Sequence, residues 1–168
     1  MDLRIAGTVN DSIVDGPGFR FTVFTQGCTH RCPGCQNPQT WDPDGGETTT
    51  VDELLARIDK NPLLKGVTLS GGEPFEQPEP MLEIARGCHE RGLDVWCYTG
   101  YMYEDLTAGS LGETSVKLLR ECDVLVDGLY VEQLKTLGLR WRGSSNQRVI
   151  DVARSLDAGE PVILEGCE

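Results

Sequence analysis

Cys28, Cys32 and Cys35 stand together in one short polar loop, "FTQGCTHRCPGCQNP", with the spacing C-x3-C-x2-C. Thiolates so close in sequence can share one metal centre, and two kinds of centre compete for them. A structural zinc ion needs a closed tetrahedral shell. His30 is the nearest candidate for the fourth ligand, but it lies between Cys28 and Cys32, where a short loop has difficulty turning both side chains inward. A 4Fe-4S cube normally takes four thiolates. With three, one iron stays open, and a substrate can bind the cluster there directly. The chain holds seven cysteines, odd in number and unevenly spaced, which favours metal or redox chemistry over a disulfide framework. Cys88, Cys97, Cys122 and Cys167 are scattered. Cys97 in an apolar run and Cys122 behind a helical stretch read as small core residues, and no chemistry is assigned to any of the four.

The elements that must position this loop are short. Strand-like runs at 20–25, 66–70, 93–98, 124–127 and 148–150, with a weaker one at 161–165, alternate with helical patterns. "TVDELLARID" opens on a Thr50 cap with Glu53 three residues on; "PEPMLEIARGCHERG" starts on prolines and stops at Gly92; "ETSVKLLREC" has an apolar face of Val116, Leu118 and Leu119. Alternating βα units predict an α/β fold around a parallel sheet. The cysteine loop follows the first run, "SGGEP" the second and "YTGY" the third, while Asp127-Gly128 closes the fourth. All four motifs therefore fall at strand C-terminal ends, the edge where parallel α/β architectures build ligand sites.

Length and composition limit the alternatives. A chain of 168 residues suits a single domain, 1–168, and its 39% hydrophobic and 25% charged content is ordinary for a globular protein. No apolar run approaches the ~20 residues of a membrane span, and "MDLRIAGTVNDSI" lacks the basic start and apolar stretch of a secretory signal. The expected location is cytoplasmic, with no membrane partner. A formal charge of -12 argues against nucleic-acid binding, which needs clustered cations. The segment 133–150 is a local exception: it carries Lys135, Arg140, Arg142 and Arg148 and no acid, which makes it a candidate docking surface together with Trp141.

Six stretches together make the reading specific: "DGPGFR" at 15–20, "GCTHRCPGCQNPQTW" at 27–41, "LSGGEP" at 69–74, "YTGY" at 98–101, "VLVDG" at 124–128 and "WRGSSNQR" at 141–148. Over about residues 8 to 150 the chain resembles the activating proteins of anaerobic ribonucleoside-triphosphate reductase, a glycyl-radical activating group of the radical S-adenosylmethionine superfamily. The cysteine spacing alone points to the superfamily, and "GPG" before it with "WRGSSNQ" after it narrows the group. The resemblance implies a partial, open parallel βα barrel of about five to six strands. It also implies reductive cleavage of S-adenosylmethionine to methionine and a 5'-deoxyadenosyl radical, which removes a hydrogen atom from a glycine Cα of the partner, the large reductase subunit. A low-potential electron donor such as flavodoxin or ferredoxin is implied as well.

By the same resemblance, Cys28, Cys32 and Cys35 would hold one 4Fe-4S cluster whose open iron is chelated by the amino and carboxylate groups of S-adenosylmethionine. Gly34 and Gln36 would meet the adenosyl part, Gly34 standing where many superfamily members carry an aromatic residue. Gly71, Gly72 and Glu73 would cradle the methionine end, with the Glu73 carboxylate accepting from the ammonium group. Thr99 and Asp127 would lie near a monovalent cation beside the cofactor carboxylate. Plainer readings stand beside these: "SGGEP" as a simple turn, Asp127 as a turn cap, and "DGPG" as a rigid turn before the first strand. No general base or nucleophile is required. The rival functions are an activating enzyme of another glycyl-radical protein, such as pyruvate formate-lyase, and a non-catalytic zinc or electron-transfer module.

Overall fold

In the computed structural model, which describes residues 1–136 and 138–168, seven strands form one sheet in the order β3-β1-β2-β4-β5-β6-β7. The centre is parallel: β2 (Arg20–Thr25), β4 (Gly66–Gly71), β5 (Asp94–Tyr98) and β6 (Val124–Asp127) pair in that order. The four motifs of the site therefore do share one edge. The flanks differ from the expected five to six parallel strands. β1 (Asp2–Ser12) is antiparallel to β2, β3 (Glu47–Thr50) is antiparallel to β1, and β7 (Arg148–Asp151) is antiparallel to β6. The sheet is mixed and does not close.

Each departure has a local cause. β1 buries Leu3 and Ile5, but irregular register between Ile5 and Gly7 and between Val9 and Ser12 breaks the alternation that marks a strand. β3 reads "ETTT" and has no apolar residue to signal it. β7 runs antiparallel because the connection from β6 returns without a crossover helix. The stretch 161–165 contributes only one bridge, between Ile163 and Ile150.

The strands bury both faces. On one, Val23, Leu69, Cys97, Leu125 and Ile150 stand in register beneath the helices α1 (Val51–Asp59), α2 (Pro78–Glu90), α3 (Tyr103–Thr107), α4 (Glu113–Glu121) and α5 (Val152–Ala158). The expected cap of α1 is present: the Thr50 side chain accepts from the Glu53 N–H. On the other face Thr22, Thr68, Trp96 and Val124 lie side by side. Trp141, Ile163, Leu164 and Cys167 cover the β6–β7 side of that face. Toward β2 the segment 13–18 folds over it, anchored by Arg20, which is fully buried. Arg20 donates to Thr68 Oγ1, the Pro17 and Val67 carbonyls and Asp94. Between these two covers the open face leaves a cavity at the strand C-terminal edge.

Candidate functional site

The cysteine loop leaves β2 at Thr25 and is sewn to the segment beyond it. The N–H groups of Gly27 and Cys28 donate to the carbonyls of Thr40 and Trp41 at 2.7 and 3.1 Å, and the Gln26 amide reaches the Gln39 and Asp42 carbonyls. Arg31, at φ +50°, lays its guanidinium over the Trp41 ring at 5.5 Å. "CPGC" is a tight turn in which the Cys35 N–H donates to the Cys32 carbonyl at 3.0 Å. Proline presets its second position, and Gly34 at φ +77° supplies the left-handed third position that such a turn requires. A Cβ on Gly34 would stand 2.5 Å from the Glu132 carboxylate, so the segment after β6 closes over this turn.

Cys28, Cys32, Cys35 and Gln36 line one cavity of about 370 Å³. His30 lines it too, and the strand ends supply further wall: Ser70 to Glu73 at the end of β4 and just beyond it, Thr99 and Gly100 after β5, and Gly128 and Tyr130 after β6. Asp15, Phe24 and Tyr98 line it from the sheet face, and Gly143 and Gln147 from the approach to β7. Burial pushes the Cys28 thiol up to about 11, with Glu73 and Glu76 adding to it against N–H donors at His30 and Arg31. Burial also raises Cys32, against the Tyr130 N–H. A metal arriving here must displace protons. Cys28, Cys32 and Cys35 border the same cavity. His30 does not complete a zinc shell, because its Nε2 lies 2.7 Å from Glu73 and its ring packs edge-on to Tyr101.

The two glycines of "SGGEP" have a steric reason to be there. A Cβ on Gly71 would lie 2.4 Å from the Thr25 nitrogen, and one on Gly72 would lie 2.5 Å from the Gly27 carbonyl. The β4 end therefore presses on the β2 end, and the contact is sealed by Gly72 N–H to Thr25 and Glu73 N–H to Gly27 at 2.8 and 2.9 Å. Glu73 is 1% exposed and meets His30, Thr99 and the N–H groups of Phe75 and Gly100.

Of the residues singled out in the sequence, the three cysteines, Gln36, Gly71, Gly72, Glu73 and Thr99 share the cavity wall. Gly34 shapes the loop behind it. Asp127 is fully buried outside the wall, where its carboxylate takes the Arg148 guanidinium and the Tyr103 N–H at 2.8 Å. Its side chain and that of Thr99, which donates to Glu73, belong to separate hydrogen-bond groups. The basic island is divided: Lys135 and Arg140 are exposed, while Arg142, Arg148 and Trp141 turn inward. Arg148 pairs with Asp127 and Glu104, Arg142 donates to the Gln147 carbonyl at 2.9 Å, and Trp141 packs on Trp96. "GSSNQ" is a scaffold: the Gln147 amide donates to the Gly128 carbonyl and accepts from Gly143 and Ser144. Sequence reasoning did not find the pairing of His30 with Glu73. Its only sequence signal is an ionisable residue inside the metal-binding loop.

A family model described as a 4Fe-4S single cluster domain matches residues 14–150. The chain is 38% identical over 145 residues to the anaerobic ribonucleoside-triphosphate reductase-activating protein of Salmonella typhi, covering 82% of this chain and 91% of that one. It is 36% identical to the protein of that name from Enterobacteria phage T4, over 81% of this chain and 86% of the relative. The match to the pyruvate formate-lyase-activating enzyme of Clostridium pasteurianum is partial, 42% identical over 106 residues and 44% of that protein. The iron-sulfur reading of the thiol-lined cavity and the near full-length matches agree, and the chain belongs to the family of anaerobic ribonucleoside-triphosphate reductase-activating proteins.

Proposed function

We propose that the protein is an iron-sulfur activating enzyme that reductively cleaves S-adenosylmethionine and generates a glycyl radical on anaerobic ribonucleoside-triphosphate reductase. The observation that carries this is the meeting of three thiols with the ends of three further parallel strands around one cavity. Cys28, Cys32 and Cys35 are the residues that would hold the cluster. The parallel centre of the sheet, with its ligand loops at the C-terminal edge, supports a partial barrel of the radical S-adenosylmethionine type. When bound, the cluster and cofactor would supply a one-electron cleavage that yields a hydrogen-abstracting alkyl radical.

The chain's own part is to bind, orient and exclude water. The backbone of Gly71 and Gly72 borders the space for the methionine end, and Gln36 borders the space for the adenosyl end. Phe24 and Tyr98 give the floor an apolar surface. No proton transfer by a side chain is needed. A substrate that is itself part of a protein can reach this cavity through the open side of the sheet, whereas a small molecule would call for an enclosed barrel. A low-potential donor such as flavodoxin or ferredoxin would supply the electron.

The test is anaerobic reconstitution followed by incubation with S-adenosylmethionine and a strong reductant. About four irons with matching sulfide and release of 5'-deoxyadenosine support the reading. One colourless zinc per chain, or a full cluster without cleavage, would overturn it.

A further inference from the structure

Glu73 is the one acid of "SGGEP", and the donors around it come from three parts of the chain. Oε1 accepts from His30 Nε2 at 2.7 Å and from the Gly100 N–H at 2.8 Å, Oε2 accepts from the Phe75 N–H at 3.0 Å, and the Thr99 hydroxyl lies 2.9 Å from both oxygens. Both oxygens act as acceptors, so the ring nitrogen that faces them carries the hydrogen. With the side chain 1% exposed, these donors rather than water stabilise the carboxylate.

Three residues on, Glu76 grips the same loop. Its Oε1 accepts from the Thr29 N–H at 3.0 Å and from the Thr29 hydroxyl at 2.7 Å. The two residues that follow Cys28 are thus each held by an acid of one short turn after β4. His30 is also seated sterically: its ring meets Tyr101 edge-on at 4.6 Å, and a Cβ on Gly100 would come within 2.7 Å of it.

We infer that Glu73 and Glu76 form a clamp on Thr29 and His30 that sets the cysteine loop against the ends of β4 and β5, and that Glu73 serves the cofactor through this loop, not by direct contact with an ammonium group. Glu73 and His30 are then positioning residues, and the cofactor's charged end is left to the backbone of the two glycines. The inference rests on the reading that the cavity takes a cluster and S-adenosylmethionine, but its first test needs neither.

Hydrogen exchange of the loop 27–35 should be measured in the protein before reconstitution for Glu73→Gln, His30→Ala, His30→Gln and Gly100→Ala. The clamp predicts faster loop exchange in Glu73→Gln and His30→Ala. Gly100→Ala, which displaces the ring without altering either partner, should do the same, and His30→Gln should restore protection by returning a donor near the ring nitrogen's place. Unchanged exchange in all variants would overturn the clamp. The second test is S-adenosylmethionine affinity of reconstituted protein, read from the cofactor-induced change in the reduced cluster's electron paramagnetic resonance spectrum. Each of Glu73→Gln and His30→Ala should lose about tenfold, and the double variant should lose no more than the worse single one. If Glu73→Gln weakens binding by the same factor whether or not His30 is present, direct contact replaces the clamp. If the wild type shows no cofactor-induced change, the reading of the cavity fails while the exchange result still decides the clamp.

Discussion

At the scale of residues, the division among the seven cysteines is the sharpest feature. Cys28, Cys32 and Cys35 line the cavity, whereas Cys88, Cys97, Cys122 and Cys167 are buried elsewhere. Replacing any of the first three with Ala should abolish the cluster or leave it unable to support cleavage, while Cys88→Ala and Cys122→Ala should keep a full complement of iron and sulfide. A Cys32→Ala protein with normal iron and normal cleavage would refute the ligand assignment. These thiols were legible because their spacing is local. What Glu73 touches was not, since its donors His30 and Thr99 lie 43 and 26 residues away. Gly34 is similar: the sequence shows a missing aromatic ring, and only the fold shows the Glu132 carboxylate filling the space beside it.

At the scale of elements, the parallel strands β2, β4, β5 and β6 were legible because each is an apolar run between turn residues. β1 and β3 were not, one being bulged and the other polar. Two contacts between elements make predictions. Arg148 at the start of β7 faces the buried Asp127 that ends β6 and also reaches Glu104 of α3. Arg148→Ala leaves a buried carboxylate without its cation and should cost about 3 kcal/mol in urea unfolding. A loss below about 1 kcal/mol would mean that Asp127 has another counter-charge.

His89 near the end of α2 is the second contact. Its Nδ1 lies 3.1 Å from Glu121 of α4, and its Nε2 lies 2.9 Å from Asp123, whose carboxylate also accepts the Val95 N–H. Arg86 approaches Glu121 from the same helix. Only the imidazolium can donate at both nitrogens. Burial by itself lowers the ring's pKa, but the hydrogen bonds to Asp123 and Glu121 outweigh it and hold His89 above the ordinary histidine value. A raised folded-state pKa gives stability that is full below the unfolded value of about 6.5 and is lost as pH rises through the folded value. The melting temperature of the wild type should therefore exceed that of His89→Ala most below the unfolded value of about 6.5, with the gap shrinking as pH rises above it. A gap that is constant with pH would show that the ring is held by packing alone.

At the scale of the whole molecule, the sheet carries helices on one face and leaves the other to a few covering side chains and the cavity. Trp141, at φ +68° and edge-on to Trp96 with ring centroids 5.8 Å apart, belongs to that cover. Trp141→Ala should lower stability by about 2 kcal/mol, because the ring is only partly buried, and should lower uncoupled cofactor cleavage with it. Loss of glycyl-radical formation alone, with stability and uncoupled cleavage intact, would instead assign Trp141 to docking. Net charge along the segment 133–150 does not reveal which of its cations are paired across the fold: Arg148 is held by Asp127 and Glu104, whereas Lys135 and Arg140 are exposed.

A radical produced in the cavity should take a hydrogen atom from a glycine of the reductase. The most direct measurement uses reductase labelled with deuterium at its glycine Cα positions, mixed anaerobically with the reconstituted protein, S-adenosylmethionine and reductant. Deuterium recovered in 5'-deoxyadenosine, in step with a glycyl-radical signal on the reductase, is the predicted result. A glycyl radical accompanied by unlabelled 5'-deoxyadenosine, or cleavage of the cofactor with no radical on the reductase, would contradict it.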